Sequence, residues 1–412
     1  MLISKFSKIV ILIGLLLLVL ALSGCDYYPG EQPHNNVIAL ENIQTRTITE
    51  GFRFSMFIDS SNSLWAWGDN SYGQLGDGTT TRSYRLVHVM DDVISISSHD
   101  SHVMAIKTDG SLWGWGNNEH GQLGDSTTTN RHTPVRIMDD VVYVSVGGNH
   151  TMAIRNDGSL WGWGYNNWGQ VGNGTTTNQH SPVHIMDDVV VVSCMGVITM
   201  AILTDGSLWV WGMADFARLR DPSFEGYHYP MHVMDDVAYV SVGTDHAMAI
   251  RTDGSLWGWG RNDVGQLGDG TFENHYNPIH IMDDVINVVA SQWLTSAVQT
   301  DGSLWAWGDN WDGQLGDGTS ADELIYPTHI MDNVVAVSHG IGTTLAVQSD
   351  GSLWAWGWGW FQDPLLRSDA PEDFCFDSLP LDANIGDYAY LYDNIPIPTK
   401  IFDGVMLPTQ SR

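Results

Sequence analysis

The chain has 412 residues, of which 48 are acidic and 17 are basic, giving a formal net charge of −31. A surface this negative repels the phosphate backbone of DNA and RNA, so the composition argues against a nucleic-acid partner. A chain of this length usually holds two or three domains, but an internal repeat overrides that estimate here.

The first segment has the layout of an export signal. Lys5 and Lys8 precede an apolar run from Ile9 to Leu22, which is short for a membrane span and suited to the core of a signal peptide. Residues 22–25, Leu-Ser-Gly-Cys, resemble the lipobox of bacterial lipoproteins, which implies cleavage before Cys25 and its acylation. We therefore expect a signal peptide at 1–24, a tether at 25–36 and a lipoprotein anchored on the extracytoplasmic side of a membrane, at the cell surface or in the periplasm. An uncleaved anchor with an incidental cysteine is the alternative.

The hexapeptide Ser-Leu-Trp-x-Trp-Gly then recurs through the chain. Its spacing is 48 residues, and 49 in the last interval, which is typical of a repeat architecture. Alternation in a strand places both indoles on one face, where core packing is favoured over a platform for sugars or bases. The small residue between the indoles suggests close approach of another backbone, as near the axis of a ring. The copies begin at Ser63, Ser111, Ser159, Ser207, Ser255, Ser303 and Ser352.

Each unit predicts four short strands joined by turns. Asp157-Gly158 and Asp187-Asp188 are turn dipeptides, and a long loop rich in Gly, Asn and Thr precedes the last strand. Seven such units predict an all-β, seven-bladed β-propeller of four-stranded antiparallel blades over residues 37–412. The sequence leaves open which strand is innermost. In the third unit we expect strands at Val141–Gly147, Thr151–Asn156, Ser159–Gly164 and Pro182–Met186, with Pro182 at the first strand position.

The long loop carries a second motif, Gly-Gln-Leu-Gly-Asp-Gly at Gly73–Gly78, with near matches in four other units. Together with the preceding Trp-Gly, it resembles the repeat of the regulator-of-chromosome-condensation family, and the resemblance implies a seven-bladed propeller. The fourth unit departs from the motif at Phe216–Asp221. The seventh has an aromatic and acidic insertion at about 358–395, which is either a binding element or a plug for the ring.

The functional signals are weaker than the structural ones. No P-loop, HExxH motif or G-x-S-x-G elbow is present, so we expect neither an enzyme nor a cofactor or metal site. Nuclear members of the family act as exchange factors for a small GTPase and carry a basic tail, whereas we expect this acidic chain to be exported and to lack such a tail. The β-lactamase inhibitor protein II group, of similar repeat type, grips a protein with one propeller face. We expect a monomeric interaction module with a protein partner. A glycan- or peptidoglycan-binding protein is the alternative, and exchange activity or an unrecognised enzyme is less favoured.

Two sets of residues are candidates for a role. The position four residues after the Trp-Gly glycine varies and is mostly aromatic, which predicts a partner-binding ring on the face with the long loops; unselected loop variation is the alternative. Its members are Tyr72, His120, Trp168, Phe216, Val264, Asp312 and Phe361. His102, His150 and His246 share another position, where apolar residues elsewhere favour a structural role. Cys194 and Cys375 are expected to be independent thiols.

Overall fold

Each repeat unit forms one antiparallel sheet of four consecutive strands, so the predicted seven-bladed propeller is confirmed. The computed structural model describes residues 46–213, 227–320, 323–340, 342–358 and 395–407. Within these ranges, no helix has the length and hydropathy needed to cross a bilayer.

The strands are numbered β1 to β28, four to a blade. Blades 1 to 3 comprise β1 (Ile48–Gly51), β2 (Phe54–Ile58), β3 (Leu64–Gly68), β4 (Ser83–Met90), β5 (Val93–His99), β6 (His102–Lys107), β7 (Leu112–Gly116), β8 (Arg131–Met138), β9 (Val141–Val146), β10 (His150–Arg155), β11 (Leu160–Gly164) and β12 (Gln179–Met186). Blades 4 and 5 comprise β13 (Val189–Met195), β14 (Ile198–Leu203), β15 (Leu208–Gly212), β16 (Tyr227–Met234), β17 (Val237–Val242), β18 (His246–Arg251), β19 (Leu256–Gly260) and β20 (His275–Met282). Blades 6 and 7 comprise β21 (Val285–Ala290), β22 (Leu294–Gln299), β23 (Leu304–Gly308), β24 (Leu324–Met331), β25 (Val334–His339), β26 (Thr343–Gln348), β27 (Ser352–Gly357) and β28 (Ile395–Asp403).

The first strand of each blade is innermost. β1 contacts β5, β5 contacts β9, and the series continues around the axis until β25 meets β1 and closes the ring. The tryptophan-bearing strand is third from the axis, so the expectation that its small middle residue lies near the axis was wrong. That residue is small because a side chain of the second strand covers it: a Cβ on Gly114 would lie 2.9 Å from Met104 Sδ.

The fourth strand starts earlier than predicted. In blade 3, β12 begins at Gln179, so Pro182 is its fourth residue and not its first. The register against β11 shifts there, since Gly162 pairs with Val183 and Gly164 with Gln179. Pro182 is accommodated by this irregularity on the outer edge strand, where the missing N–H breaks no regular ladder.

In blades 2, 3, 4, 6 and 7 the second tryptophan of the pair is fully buried and is held by the preceding blade. Trp115 is fully buried, and its Nε1 donates to the carbonyl oxygen of Gln74 at 2.9 Å. A Cβ on Gly76 would lie 2.9 Å from the same nitrogen, so this glycine lets the loop lie against the indole. The Gly-Gln-Leu-Gly motif is therefore a clamp on the next blade. The same bond joins Trp163 to Gln122, Trp211 to Gln170, Trp307 to Gln266, and Trp356 to Gln314.

Blade 1 is completed by residues that follow the last strand. Val405 pairs with Asp59 of blade 1. In blade 2 the equivalent pair is Val93 with Lys107, and Val93 is the first residue of the innermost strand β5. Val405 therefore takes the place of an innermost-strand residue. Val405 is buried, and the next residue, Met406, donates its N–H to the Ile58 carbonyl at 2.8 Å. Residues from the two ends of the described chain, β1 to β4 and Val405–Met406, are therefore hydrogen-bonded in blade 1.

Candidate functional site on the long-loop face

The two faces of the propeller are built from different connections. One carries the Asp-Gly turns between second and third strands and the Asp-Asp turns between blades; we call it the Asp-turn face. The other carries the turns between first and second strands and the long loops between third and fourth strands; we call it the long-loop face. In blade 2 the Asn117 N–H donates to the Ser101 carbonyl at 2.9 Å, which places these two connections side by side.

The long loops are held by buried amide side chains and are therefore fixed in position. In blade 3, the fully buried Asn166 accepts from the Val171 N–H at 2.9 Å and donates to Thr175 and Thr177 carbonyls. The buried Gln170 accepts from the Trp168 N–H at 3.1 Å. Trp168 is thus displayed on a preorganised backbone, which lowers the entropy lost on binding. Matching bonds fix the backbone N–H of Tyr72, His120, Val264 and Asp312.

The structure places the described members of the predicted ring on the long-loop face, as expected. Tyr72 and Trp168 are exposed, by 37% and 38%, whereas His120, Val264 and Asp312 are half-buried. The His120 ring lies 4.9 Å from the ring of Tyr165, which links blades 2 and 3. Phe216 and Phe361 lie outside the described residues. Whether the described members bind a partner stays a prediction.

Other exposed aromatic residues on this face escaped the sequence pattern, among them Phe52, Trp293, Trp311 and Phe272 of the blade 5 long loop. Phe52 and Trp293 lie in the turns between first and second strands, and Trp311, which is 65% exposed, directly precedes Asp312 in its loop. The tryptophans outside the paired motif were a usable signal. They are Trp168, Trp293, Trp311, Trp358 and Trp360, and each of the first four follows a first or third strand on the long-loop face.

Blades 5 and 6 carry different charges at equivalent positions of this face. In blade 5, Arg261 pairs with Asp245 at 3.0 Å and with Asp263 at 2.6 Å. In blade 6, burial raises the pKa of Asp309, and the nearby carboxylates of Asp312 and Glu323 raise that pKa further. Among the described residues, none of these three blade 6 acids has an ion pair with a basic side chain. Blade 6 therefore concentrates uncompensated negative charge beside exposed tryptophans.

A central channel runs between the innermost strands and is lined by both polar and apolar side chains. Arg46 reaches across the axis, where its Nη2 donates to the Tyr143 hydroxyl at 2.9 Å and its guanidinium lies 5.4 Å from that ring. Toward the long-loop face, buried Glu50 accepts from Ser55 at 3.1 Å and from Thr343 of blade 7 at 3.0 Å. Burial raises the pKa of Glu50 to about 7 despite these bonds. The channel thus contains the polar seam between first and last blades.

The three matching histidines are structural, as predicted. His150 is fully buried, and its Nε2 lies 2.8 Å from Thr199 Oγ1 in the next blade. That hydroxyl donates to the Gln170 carbonyl, so the histidine is the donor to it. Burial lowers the pKa of His102, His150 and His246 to about 3, which keeps all three neutral at pH 7. They are hydrogen-bond links between blades and have no access to a substrate.

Neither the cysteines nor the acidic turns form a reactive or metal-binding centre among the described residues. Cys194 is a free, buried thiol, and burial raises its pKa to about 12; Cys375 lies outside the described residues. No cluster of three metal-ligating side chains occurs in the described part of the chain. On the Asp-turn face, His184 Nε2 lies 2.8 Å from Asp187 Oδ1, and its ring contacts Trp161 edge-on at 5.6 Å. This Trp–His–Asp arrangement recurs in four other blades, with Asp91, Asp235, Asp283 and Asp332, and follows the turn chemistry.

The fold and its interblade clamps define a closed repeat propeller that presents one aromatic face. The model of the RCC1-like domain matches residues 139–363. Models of the regulator of chromosome condensation (RCC1) repeat match residues 61–106, 109–154 and 93–122. Because the first match spans more than half of the chain, the chain belongs to the RCC1-like family.

Solved structures agree on the fold. Human WBSCR16 is 21% identical over 79% of this chain and 94% of its own, with a TM-score of 0.67. Yeast RCC1 (Prp20), crystallised bound to Kap60, is 17% identical over 93% and 91%, with a TM-score of 0.70. Prp20p from Saccharomyces cerevisiae, described with its binding to Gsp1p and histones, is 19% identical over 84% and 88%, with a TM-score of 0.68. At these identities the similarity establishes the architecture.

Proposed function

We propose that the protein is an exported, lipid-anchored interaction module that binds a protein partner through its long-loop face and catalyses no reaction. The carrying observation is the placement of the tryptophans outside the core pairs: Trp168, Trp293 and Trp311 are exposed, and all three lie on this face. Rigidly held aromatic side chains are the residues that dominate the binding energy of protein interfaces. Yeast RCC1 (Prp20) was crystallised bound to Kap60, and Prp20p is described with its binding to Gsp1p and histones. These similar structures support a protein as the partner.

Cross-linking capture from an envelope extract tests the function. The bait is the propeller from residue 26 onward, compared with a Trp168→Ala, Trp293→Ala double variant. The matched control is Val142→Ala with Ile286→Ala, because these apolar residues are equally exposed, by 39% and 45%, near the Asp-turn face. We expect the control to retain the captured protein and the tryptophan variant to lose it, with a weakening of roughly 2–4 kcal/mol in a purified titration. Equal capture by both would contradict the proposal, and exclusive retention of glycans on an array would favour the glycan-binding alternative.

A further inference from the structure

Blade 6 has an acidic residue and two tryptophans at the positions where blade 5 has an arginine paired with two acids. Each relevant position of blade 6 lies 48 residues after its counterpart, and the backbone contacts agree. Arg261 N–H donates to the Asp245 carbonyl at 2.8 Å, and Asp309 N–H donates to the Trp293 carbonyl at 3.0 Å. Arg261 thus corresponds to Asp309, Asp245 to Trp293, and Asp263 to Trp311.

In blade 5, a cation occupies the centre of this trio. The Arg261 guanidinium contacts both acids, so the three positions lie within the reach of one arginine side chain. In blade 6 the centre is a carboxylate, and both flanking positions are exposed tryptophans. Among the described residues, blade 6 therefore places a carboxylate and two exposed indoles at the positions that the cation and its two acids occupy in blade 5.

Two further carboxylates join this patch. Trp311 Nε1 lies 3.3 Å from Glu323 Oε1, which holds the acid against the indole. Asp312 lies against the first turn of blade 7, where a Cβ on Gly342 would be 2.7 Å from its Oδ2. We call Trp293, Asp309, Trp311, Asp312 and Glu323 the blade 6 crown. Asp309 itself is only 9% exposed, so an incoming cation would meet Asp312, Glu323 and the indoles first.

We infer that the blade 6 crown is the part of the long-loop face that receives lysine or arginine side chains of the partner, which must therefore be a protein with a basic surface. Indole faces attract ammonium and guanidinium groups, and neighbouring carboxylates strengthen that attraction. A cation placed here would also relieve the mutual repulsion of the three acids. The inference rests on the proposed function and adds the chemistry of the partner to it.

The test uses hexalysine as the probe and the propeller from residue 26 onward, titrated calorimetrically at physiological salt. We expect Trp293→Ala with Trp311→Ala, and separately Asp309→Asn with Asp312→Asn, each to raise the Kd about tenfold or more. The matched control, Asp283→Asn with Asp332→Asn, removes two charges from the Asp-turn face in the turns before and after blade 6, and should change the Kd less than about twofold. The variant Asp309→Arg supplies a cation as blade 5 does and should abolish probe binding.

Fluorotryptophan labelling with 19F NMR locates the bound probe. The resonances of Trp293 and Trp311, assigned from their alanine variants, should shift during the titration, while those of buried Trp115 and Trp163 stay in place and report an intact fold. Absence of hexalysine binding, equal weakening by the control, or unshifted Trp293 and Trp311 would each overturn the inference. The hexalysine titration contains no partner, so its result is independent of the capture experiment. The inference about the crown can be overturned while the proposed function stands, and the proposed function can be overturned while the crown still binds hexalysine.

Discussion

At the scale of single residues, buried groups in the structure titrate at unusual pH values. Glu50 is the carboxyl at the seam between blades 1 and 7, and its pKa is near 7 in the folded protein because burial disfavours the charged form. Between pH 4.5 and 7 the folded state therefore binds more protons than the unfolded state at this group. This contribution to the free energy of unfolding falls as pH rises through that window.

Glu50→Gln should remove this dependence. The amide keeps the shape of the side chain and is neutral at every pH, so we expect the variant to gain roughly 3 kcal/mol over the natural protein above pH 7. At pH 4.5 the two proteins should be nearly equal. Urea unfolding at pH 4.5 and pH 8 measures both differences, and a difference independent of pH would contradict the assignment.

The buried histidines act in the opposite direction. Burial lowers the pKa of His246 to about 3, so the unfolded chain takes up its proton first as the solution is acidified. The free energy of unfolding therefore falls as pH decreases from about 6.5 toward 3. His246→Leu introduces the residue that blade 6 has at this position, Leu294. It should reduce the loss of stability between pH 7 and pH 4.5 by roughly 2–3 kcal/mol. Acid unfolding curves that coincide with those of the natural protein would refute this role.

The tryptophan clamp offers an internal comparison. Trp211 Nε1 donates to the Gln170 carbonyl, whereas the Nε1 of the equally buried Trp259 has no acceptor among the described residues. Substitution by Phe removes the same atoms from both sites. Trp211→Phe should cost about 1–2 kcal/mol more than Trp259→Phe, because among the described residues only the first substitution breaks a hydrogen bond. The two free energies of unfolding decide this, and equal costs would mean that Trp259 has an acceptor in the folded protein.

At the scale of elements, the seam depends on a residue outside every strand. Val405 fills the place of an innermost-strand residue in blade 1. The ring of Phe402, in β28 of blade 7, packs 4.7 Å from the ring of Phe57 in blade 1. We expect truncation after Asp403 to destabilise the propeller by roughly 2–4 kcal/mol although all its strands remain. Truncation after Leu407 keeps Val405 and is the control. Thermal unfolding of the two truncated proteins measures the difference, and equal midpoints would show that the seam does not need Val405.

The elements predictable from the sequence were those whose chemistry repeats. Alternation in Leu-Trp-x-Trp-Gly and the Asp-Gly and Asp-Asp turns gave the strand count, the antiparallel order and the two faces. The innermost strand was not predictable, because the first, second and third strands of the unit are all apolar enough to be buried. Nor was the role of Gln74 and its counterparts, because a clamp on the next blade joins residues about forty positions apart. Of the exposed aromatics, Phe52 and Trp293 lie in short turns where no motif marks them.

At the scale of the whole molecule, attachment to a membrane is a hypothesis from residues 22–25. Cys25→Ser should abolish fatty-acid incorporation and release the protein from the membrane fraction, because the thiol is the acceptor of the first acyl chain in a lipoprotein. Cys194→Ser is the control, since that thiol is buried within blade 4 and should leave acylation unchanged. Metabolic labelling followed by fractionation measures both, and equal label in Cys25→Ser and the natural protein would exclude the lipid anchor.

The completion of blade 1 by Val405 also sets an order of events in biosynthesis. A ribosome adds roughly 5–20 residues per second, so the first blade waits tens of seconds for its last residue. During that time the apolar surface that Val405 covers stays exposed, so we expect the nascent chain to benefit from chaperones or from being kept unfolded for export. A chain that ends before Val405 lacks this cover, and we expect it to be a better substrate for proteolytic quality control than the full chain.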